Sequence, residues 1–255
     1  MAKSIGFLGF GKIGQVIAAD LQIDGAANIL FAQDKFLTAA QCTPPPCFPL
    51  LDHLDEALLS QADLVVECAL SDVLKQYAPL ILKHCDLLAF SLTAFADADF
   101  YNTVCRLCEQ YNTNIYLPHG AILGLDGISD AGVLLQSVTI ETVKPPGVLA
   151  RQDGRRTILY DGPTREACRL YARNVNVHAA LALAGVGFDR MHSVIVSDPA
   201  AATNTHHIKV RGQGFAFELT VSSASGRSVT GAYTPKSACG SVRKALGCGG
   251  AVRFV

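Results

Sequence analysis

The stretch Gly9-Phe10-Gly11-Lys12-Ile13-Gly14 decides the fold of this chain. It follows the apolar run Ile5-Gly6-Phe7-Leu8 and opens a segment in which Ile13, Ile17 and Leu21 recur at helical spacing. The pattern is therefore G-x-G-x-x-G at a predicted strand-to-helix turn, the context in which such glycines bind a dinucleotide. The alternative interpretation is a glycine-rich turn without a ligand, and the surrounding sequence favours it less.

Each glycine of the turn has its own physical role. Gly9 permits a tight turn, Gly11 lets the backbone approach a pyrophosphate, and Gly14 lets the helix pack closely against the strand. The start of the helix adds free N–H groups and the positive end of the helix dipole. We expect five residues of this turn to contact the cofactor: Gly9, Gly11, Lys12, Ile13 and Gly14.

An acidic residue follows the next predicted strand. The apolar run Ile29-Leu30-Phe31-Ala32 ends at Gln33 and Asp34, so Asp34 lies about 20 residues beyond the motif, where a carboxylate binds a ribose 2′-hydroxyl. Asp34 favours NAD, whereas the neighbouring Lys35 is suited to neutralising the 2′-phosphate of NADP, and Gln33 is an alternative contact to the ribose. The predicted cofactor is NAD or NADP, with the choice left open.

Composition excludes several classes of protein. The chain has 255 residues, of which 50% are hydrophobic and 17% charged, and its net charge is -1. A disordered or fibrous chain is excluded, and the lack of a basic cluster argues against nucleic acid or an anionic membrane surface as partner. We expect a small-molecule partner and, without a signal pattern or an apolar run of transmembrane length, a cytoplasmic location.

The nine cysteines do not form a recognisable metal or disulfide pattern. They are scattered, mostly within apolar runs, as is typical of reduced thiols that serve as small core residues. Cys105-x-x-Cys108 is the one suggestive spacing, but it lies in a predicted helix over residues 98–110 without a second Cys or His pair nearby. We interpret both thiols as structural and predict no metal site.

Predicted strands and helices alternate from the glycine turn to Leu117. Apolar strand-like runs at Asp63–Ala69, Leu87–Ser91 and Asn114–Leu117 are separated by helical lengths. Such alternation is typical of a parallel sheet with right-handed crossovers, in which ligands bind at the carboxyl ends of the strands.

From Pro118 onward, alternating polar and apolar strands dominate, and they predict a sheet that is open to solvent on one face. The predicted strands include Ser137–Val143, Ile208–Arg211 and Phe215–Val221, and the predicted helices are Thr164–Tyr171, Val177–Ala184 and Lys236–Leu246. The predicted fold class is α/β. It comprises a Rossmann-type dinucleotide-binding domain (1–117), an α+β substrate, catalytic and oligomerisation domain (118–232), and a C-terminal helix (233–255) that returns to the first domain.

The second domain must supply acid–base chemistry, because a nicotinamide transfers only the hydride. The polar stretch from Ser197 to His207 is predicted to be a loop between strands. Histidine titrates near neutral pH, so His206 or His207 is a candidate proton acceptor. Spacing does not choose between them, and two solvated loop histidines are the alternative.

Two other polar groups have competing interpretations. Asn174 or Asn176 is suited either to capping the helix that follows or to hydrogen-bonding a carboxamide such as that of nicotinamide. Arg165, Arg169 and Arg173 recur every four residues, as a site for a dicarboxylate or, more simply, as a solvated helix face.

Taken together, these stretches resemble the L-aspartate dehydrogenase family over nearly the whole chain. The segments that carry the resemblance are Gly9–Gly14, Pro118–Asp126, Tyr160–Ala167, Asn174–Val177, Ala184–Arg190, Asp198-Pro199 with Asn204–His206, and Thr234–Ala238. The resemblance implies oxidative deamination of L-aspartate with NAD or NADP, through iminoaspartate to oxaloacetate and ammonia. It also implies a homodimer or larger homo-oligomer, and an imine that is able to feed NAD biosynthesis.

The resemblance also assigns roles to single residues. It implies that His206 is catalytic and that Ala121 and Asn176 contact the cofactor, and the neighbouring Asn204, Thr205 and His207 become candidates for substrate binding. Three positions depart from the family pattern: His119, where a small residue is more common; Thr234–Ser237, in place of Asn-Pro-Lys-Thr; and His178, where alanine is common. A homoserine-type or other amino-acid or aldehyde dehydrogenase, and a catalytically silent nucleotide-binding sensor, are the alternative functions.

Overall fold

The structure, a computed structural model, describes residues 2–224 and 233–248. The chain divides into two compact units, one formed by Met1–Pro118 with Pro235–Val255 and the other by His119–Thr234. Among the described residues, none of the helices is both long and apolar enough to cross a membrane.

The first unit contains a six-stranded parallel sheet. Its strands are β1 (Lys3–Leu8), β2 (Ala27–Gln33), β3 (Leu50–Leu51), β4 (Leu64–Glu67), β5 (Asp86–Ala89) and β6 (Ile115–Tyr116). They lie in the order β3-β2-β1-β4-β5-β6, with every pair parallel. This order reverses direction between β1 and β4, which makes the end of β1 the switch point at which such sheets bind ligands.

Four helices connect these strands: α1 (Lys12–Ile23), α2 (Glu56–Leu59), α3 (Ser71–Ile81) and α4 (Ala98–Tyr111). Helix α2 begins at Glu56, because Asp55 accepts hydrogen bonds from the backbone N–H groups of Ala57 and Leu58 and so sets the start. Cys105 and Cys108 on α4 are free thiols.

The second unit contains a mixed five-stranded sheet. Its strands are β7 (Leu135–Lys144), β8 (Thr157–Pro163), β9 (His192–Ser197), β10 (Asn204–Gly212) and β11 (Phe215–Ser223), and its helices are α5 (Leu125–Ala131), α6 (Thr164–Leu170) and α7 (Asn176–Ala184). The order is β11-β10-β7-β9-β8, in which β7 and β9 are parallel and the other pairs antiparallel. Along β7 and β10 alternate residues are buried, so one face of this sheet belongs to the core.

The prediction of a loop as far as His207 is wrong. Strand β10 already begins at Asn204, and its buried positions there are Asn204 and His206, followed by Ile208 and Val210. The alternation was hidden because the first two buried positions are polar. The same applies to the end of β7, where Thr142 and Lys144 occupy buried positions.

Two of the alternatives left open for this unit are now decided. The asparagine cap is excluded, because Val175 occupies the N-cap of α7 and Asn176 is the first residue of the helix. Arg165 and Arg169 lie on the solvated face of α6, which ends at Leu170 before Arg173 is reached. Arg165 contacts Asp189, with Nε donating to Oδ1 at 2.6 Å, and Arg169 contacts Glu166 at a similar distance.

The last helix among the described residues, α8 (Tyr233–Ala245), packs within the first unit. Its buried residues Ala238, Cys239 and Val242 join the same apolar cluster as Ile17 and Leu21 of α1. Arg243 adds charged contacts, because its Nε donates to Asp20 at 2.6 Å and its Nη1 to Asp24 at 2.8 Å. The fold class predicted from the sequence is thus confirmed, and residues 249–255 of the predicted terminal segment lie outside the described residues.

Candidate active site

In the first unit, the turn after β1 has a geometry that only glycine permits at its first position. Gly9 has φ +82°, and a Cβ placed on it would lie 2.8 Å from the backbone N and the Cβ of Ala69. The Gly9 N–H donates to the carbonyl of Gln33 at 2.7 Å, which fixes the turn against the end of β2. Gln33 ends β2 and Ala69 follows β4, so the turn lies where the carboxyl ends of β1, β2 and β4 meet.

The other two glycines of the turn differ in what surrounds them. A Cβ on Gly14 would lie 3.1 Å from the Gly9 carbonyl oxygen, so α1 packs closely on the turn. A Cβ on Gly11 would meet nothing within 4 Å. Gly11 is the N-cap of α1, so the N–H groups of Lys12 and Ile13 belong to the first turn of the helix, where N–H groups are able to bind a phosphate. The open space beside Gly11 leaves room for a phosphate to approach.

Asp34 lies beside the same turn. Its carboxylate accepts hydrogen bonds from the N–H groups of Phe10 and Phe36, both at 3.0 Å. Gln33 is only 5% exposed, and its amide donates to the carbonyl of Asp52 at 2.9 Å. The amide of Gln33 is therefore engaged inside the fold, and Asp34 is the side chain that β2 presents at the turn.

A buried carboxylate joins the ends of β4 and β5. Glu67 is fully buried, and its two oxygens accept hydrogen bonds from Ala69 N, Phe90 N, Ser91 N and Ser91 Oγ at 2.7 to 3.0 Å. Burial raises the pKa of this carboxyl group, and the hydrogen bonds from Ser91 oppose that rise. The sequence signal was an acidic residue that ends an apolar strand, but its partners were not predictable from spacing.

The glycine turn, the open side of Gly11 and the Asp34 carboxylate together fit a dinucleotide. A pyrophosphate requires close backbone approach and N–H donors, and a ribose requires an acceptor for its hydroxyl groups. All three requirements are met within the first unit.

In the second unit, the two neighbouring histidines of β10 lie on opposite faces of the sheet. His206 is 6% exposed and lies on the buried face. His207 is half-buried on the other face, where its Nδ1 lies 3.2 Å from Thr220 Oγ1 of β11. The structure thus separates two residues between which spacing could not choose.

Two further side chains lie in line with His206. Its Nδ1 is 2.8 Å from Thr142 Oγ1 of β7, and the same oxygen is 2.7 Å from Nε2 of His178 on α7. Thr142 and His178 are 1% and 0% exposed. Sequence reasoning missed Thr142, for which the only signal was a hydroxyl at a position of β7 that alternation marks as buried.

The electrostatics of this cluster favour neutral imidazoles. Burial, together with Lys144 and His207, lowers the pKa of His206 to about 3. Burial, together with His206 and Lys144, lowers the pKa of His178 well below its usual value. Burial also lowers the pKa of Lys144 to about 8. His206 is therefore uncharged at neutral pH, and a neutral imidazole has one nitrogen that is able to accept a proton.

The remaining predicted site residues of this unit are only partly brought together. Asn204 shares the buried face of β10 with His206, whereas Thr205 lies on the opposite face with His207 and contacts Ser222 Oγ at 3.0 Å. Asn176 opens α7, the helix that carries His178.

Ala121 lies in a tight turn. The N–H of Ile122 donates to the carbonyl of His119 at 3.0 Å, and Gly120 has φ +59°. The His119 side chain closes the same turn, because its Nδ1 donates to the carbonyl of Ile122 at 2.8 Å. His119 therefore has a structural role in shaping the backbone around Ala121.

Two family models match the chain. One, described as aspartate dehydrogenase, C-terminal, matches residues 126–245. The other, described as homoserine dehydrogenase, NAD binding domain, matches residues 9–118. The second match covers the turn and the parallel sheet, and the first covers the strands and helices that carry His206, Thr142 and His178.

Relatives and solved structures agree with these matches. An L-aspartate dehydrogenase of Methanosarcina acetivorans is 31% identical over 236 residues, which cover 85% of this chain and 86% of the relative. One of Methanosarcina mazei is 33% identical over 228 residues, covering 82% and 83%. The crystal structure of aspartate dehydrogenase from Thermotoga maritima covers 100% of both chains with a TM-score of 0.82 and 26% identity.

A more distant structure shares the fold alone. A hyperthermophilic archaeal homoserine dehydrogenase in complex with NADPH covers 99% of this chain with a TM-score of 0.63 and 12% identity. At that identity the likeness carries no information on substrate. The identities of 31–33% over most of the length decide the matter, and the chain belongs to the L-aspartate dehydrogenase family of pyridine-nucleotide oxidoreductases.

Proposed function

We propose that this chain catalyses the oxidative deamination of L-aspartate with NAD or NADP, and that His206 is its catalytic acid–base residue. The observation that carries the proposal is the buried, uncharged imidazole of His206, held through Nδ1 by Thr142. A neutral imidazole has the nitrogen lone pair that is needed to take a proton from a substrate ammonium group.

His206 would take a proton from the substrate ammonium group, and a bound nicotinamide would supply the acceptor for the hydride of the α-carbon. His206 would then release that proton to solvent. When water adds to the carbon of the resulting iminoaspartate, His206 would take one proton from the water, which leaves a carbinolamine. Return of this proton to the nitrogen, with loss of the hydroxyl proton to solvent, would break the C–N bond and give ammonia and oxaloacetate.

The proposed cofactor contacts begin with the glycine turn and Asp34. Gly9, Gly11, Lys12, Ile13 and Gly14 would hold the pyrophosphate and Asp34 the ribose, which the geometry of the turn supports. Ala121 and Asn176 are proposed as further contacts, and an amide such as that of Asn176 has the donor and acceptor that a nicotinamide carboxamide requires.

Replacement of the two histidines tests the assignment. We expect His206→Ala to lower turnover of L-aspartate by about 100-fold or more, the range typical of a general acid–base residue, with unchanged cofactor affinity. His84→Ala is the control, because the Nδ1 of His84 contacts Ser60 Oγ at 3.1 Å outside the candidate site, and it should keep most of the activity. Full turnover by His206→Ala would overturn the assignment, and turnover of homoserine but not aspartate by the parent chain would overturn the proposed substrate.

We propose NAD as the preferred form of the cofactor. The Asp34 carboxylate, fixed at the turn by the Phe10 N–H, would repel a 2′-phosphate, and the exposed Lys35 ammonium lies 6.0 Å from the centroid of the Phe36 ring. Asp34→Asn should move the ratio of turnover with NAD to that with NADP towards NADP. An unchanged ratio would show that Asp34 does not read the ribose.

We further propose that the chain forms a homodimer. The face of the second sheet opposite His206 carries half-buried side chains, including Glu141, Val143 and His207, on central strands, and this surface is suited to pairing with a second copy. Sedimentation should then give about twice the 27.0 kDa mass of one chain. A mass equal to one chain would contradict the proposal.

A further inference from the structure

We propose that His178, acting through Thr142, is a positioning residue that fixes His206 in the tautomer whose Nε2 carries the lone pair. This inference rests on the proposed role of His206 as the base. It follows from a line of buried hydrogen bonds that runs from His206 to a backbone carbonyl.

The line continues beyond His178. The Nδ1 of His178 lies 2.9 Å from Ser193 Oγ of β9, and Ser193 Oγ lies 2.7 Å from Thr164 Oγ1 at the start of α6. The Thr164 hydroxyl donates to the carbonyl of Met191 at 3.0 Å. His178, Ser193 and Thr164 are each 0% exposed, so these groups exchange hydrogen bonds with one another and not with bulk water.

The direction of every bond in this line is determined at its far end. The Met191 carbonyl has no hydrogen and only accepts, so the single hydroxyl hydrogen of Thr164 is used there. Thr164 Oγ1 must then accept from Ser193. Because the Ser193 hydrogen is used in turn, its oxygen must accept from Nδ1 of His178.

The neutral state of His178 also determines the direction of the two hydrogen bonds between His178, Thr142 and His206. An uncharged imidazole has one N–H, and here it is on Nδ1, so Nε2 must accept a hydrogen bond from Thr142. The Thr142 oxygen, its own hydrogen used, accepts from Nδ1–H of His206. His206 is uncharged as well, so its Nε2 is left as the basic nitrogen.

A second proton on His178 would reverse the two hydrogen bonds that Thr142 makes, one with His178 and one with His206. Nε2–H of His178 would then donate to Thr142, whose hydroxyl would turn towards Nδ1 of His206, and the remaining proton of His206 would lie on Nε2. Full burial opposes that charge, and so do the neighbouring Lys144 and His206. His178 is thus a fixed acceptor that keeps Thr142 pointing away from His206.

Loss of the Thr142 hydroxyl tests the inference through kinetics. Thr142→Val keeps the side-chain volume but removes the link, and we expect it to lower kcat on the order of 10- to 100-fold with little change in KM, as for other groups that orient a reacting residue. Thr142→Ser should restore most of the activity. Thr157→Val is the control, because the Thr157 hydroxyl donates to the carbonyl of Arg155 and takes no part in these contacts.

The tautomer itself is measured by nitrogen NMR of histidine-labelled protein, which does not depend on activity. The parent chain should show a protonated Nδ1 and an unprotonated Nε2 for His206, and Thr142→Val and Ser193→Ala should both raise the population of the Nε2–H form. Protonated Nε2 in the parent chain, or an unchanged tautomer in both variants, would overturn the inference. Absence of aspartate turnover in the parent chain would instead overturn the proposed function and leave the tautomer result standing.

Discussion

Glu67 in the first unit and His206 in the second are both buried polar groups, but their hydrogen bonds differ in kind. Three of the donors to Glu67 are backbone N–H groups, which donate and never accept. The groups between His206 and Met191 are hydroxyls and imidazoles, each able to donate or accept. The hydrogen-bond directions around Glu67 are therefore fixed by the backbone donors. Those in the line from His206 are fixed only by the acceptor at its end, the Met191 carbonyl.

This difference matches the role that we propose for each unit. A cofactor turn requires a constant backbone shape, and a carboxylate that clamps Phe90, Ser91 and Ala69 provides one at the ends of β4 and β5. Acid–base chemistry requires a proton arrangement that is defined yet able to change, and a line of side chains provides that.

The largest effect is expected at Glu67. In Glu67→Gln, an amide NH2 replaces one oxygen and faces donors that have lost their acceptor, so we expect the free energy of unfolding to fall by about 2–5 kcal/mol. Urea denaturation measures the loss. Glu109→Gln, on the exposed side of α4, is the control and should change stability by less than about 0.5 kcal/mol.

A small effect of Glu67→Gln on the free energy of unfolding would also be informative. It would show that Glu67 already holds a proton in the folded chain, where burial raises its pKa. The backbone N–H groups would then be donating to a neutral acid, and the contrast between the two clusters would be one of geometry alone.

Acid should destabilise the histidine cluster. The folded-state pKa values of His206 and His178 are lowered below the unfolded value, so the unfolded chain binds more protons. Their contribution is complete above about pH 6.5 and falls by about 1.4 kcal/mol per pH unit for each histidine as the pH drops below that value.

Urea denaturation at pH 8 and pH 5 measures this dependence. His178→Asn should reduce the change in unfolding free energy per pH unit by the contribution of one histidine. His53 is exposed, and His53→Gln should leave that change as it is in the parent chain. An equal slope in the parent chain and in His178→Asn would contradict the neutral state on which the direction of the line depends.

The sequence predicted the scaffold better than the site for a physical reason. The glycine turn and the apolar runs of β1 and β4 are local patterns, and they were enough to predict the fold class. The line from His206 uses Thr142, His178 and Ser193, which lie on three different elements, and no spacing within the sequence brings them together. The start of β10 was missed for the related reason that His206 fills a core position with a polar ring.

The smallest effect is expected at the far end of the line. Thr164→Val removes the donor to Met191 and leaves the Ser193 hydroxyl without its acceptor, so that Ser193 is free to donate to His178. We expect a stability loss of only about 1 kcal/mol but a mixed population of His206 tautomers in nitrogen NMR. Thr157→Val removes a similar hydroxyl-to-carbonyl bond, that to Arg155, and should leave the His206 tautomer unchanged. A single, unaltered His206 tautomer in Thr164→Val would mean that the direction is set nearer to His178 than to Met191, and the second cluster would then be as rigid as the first.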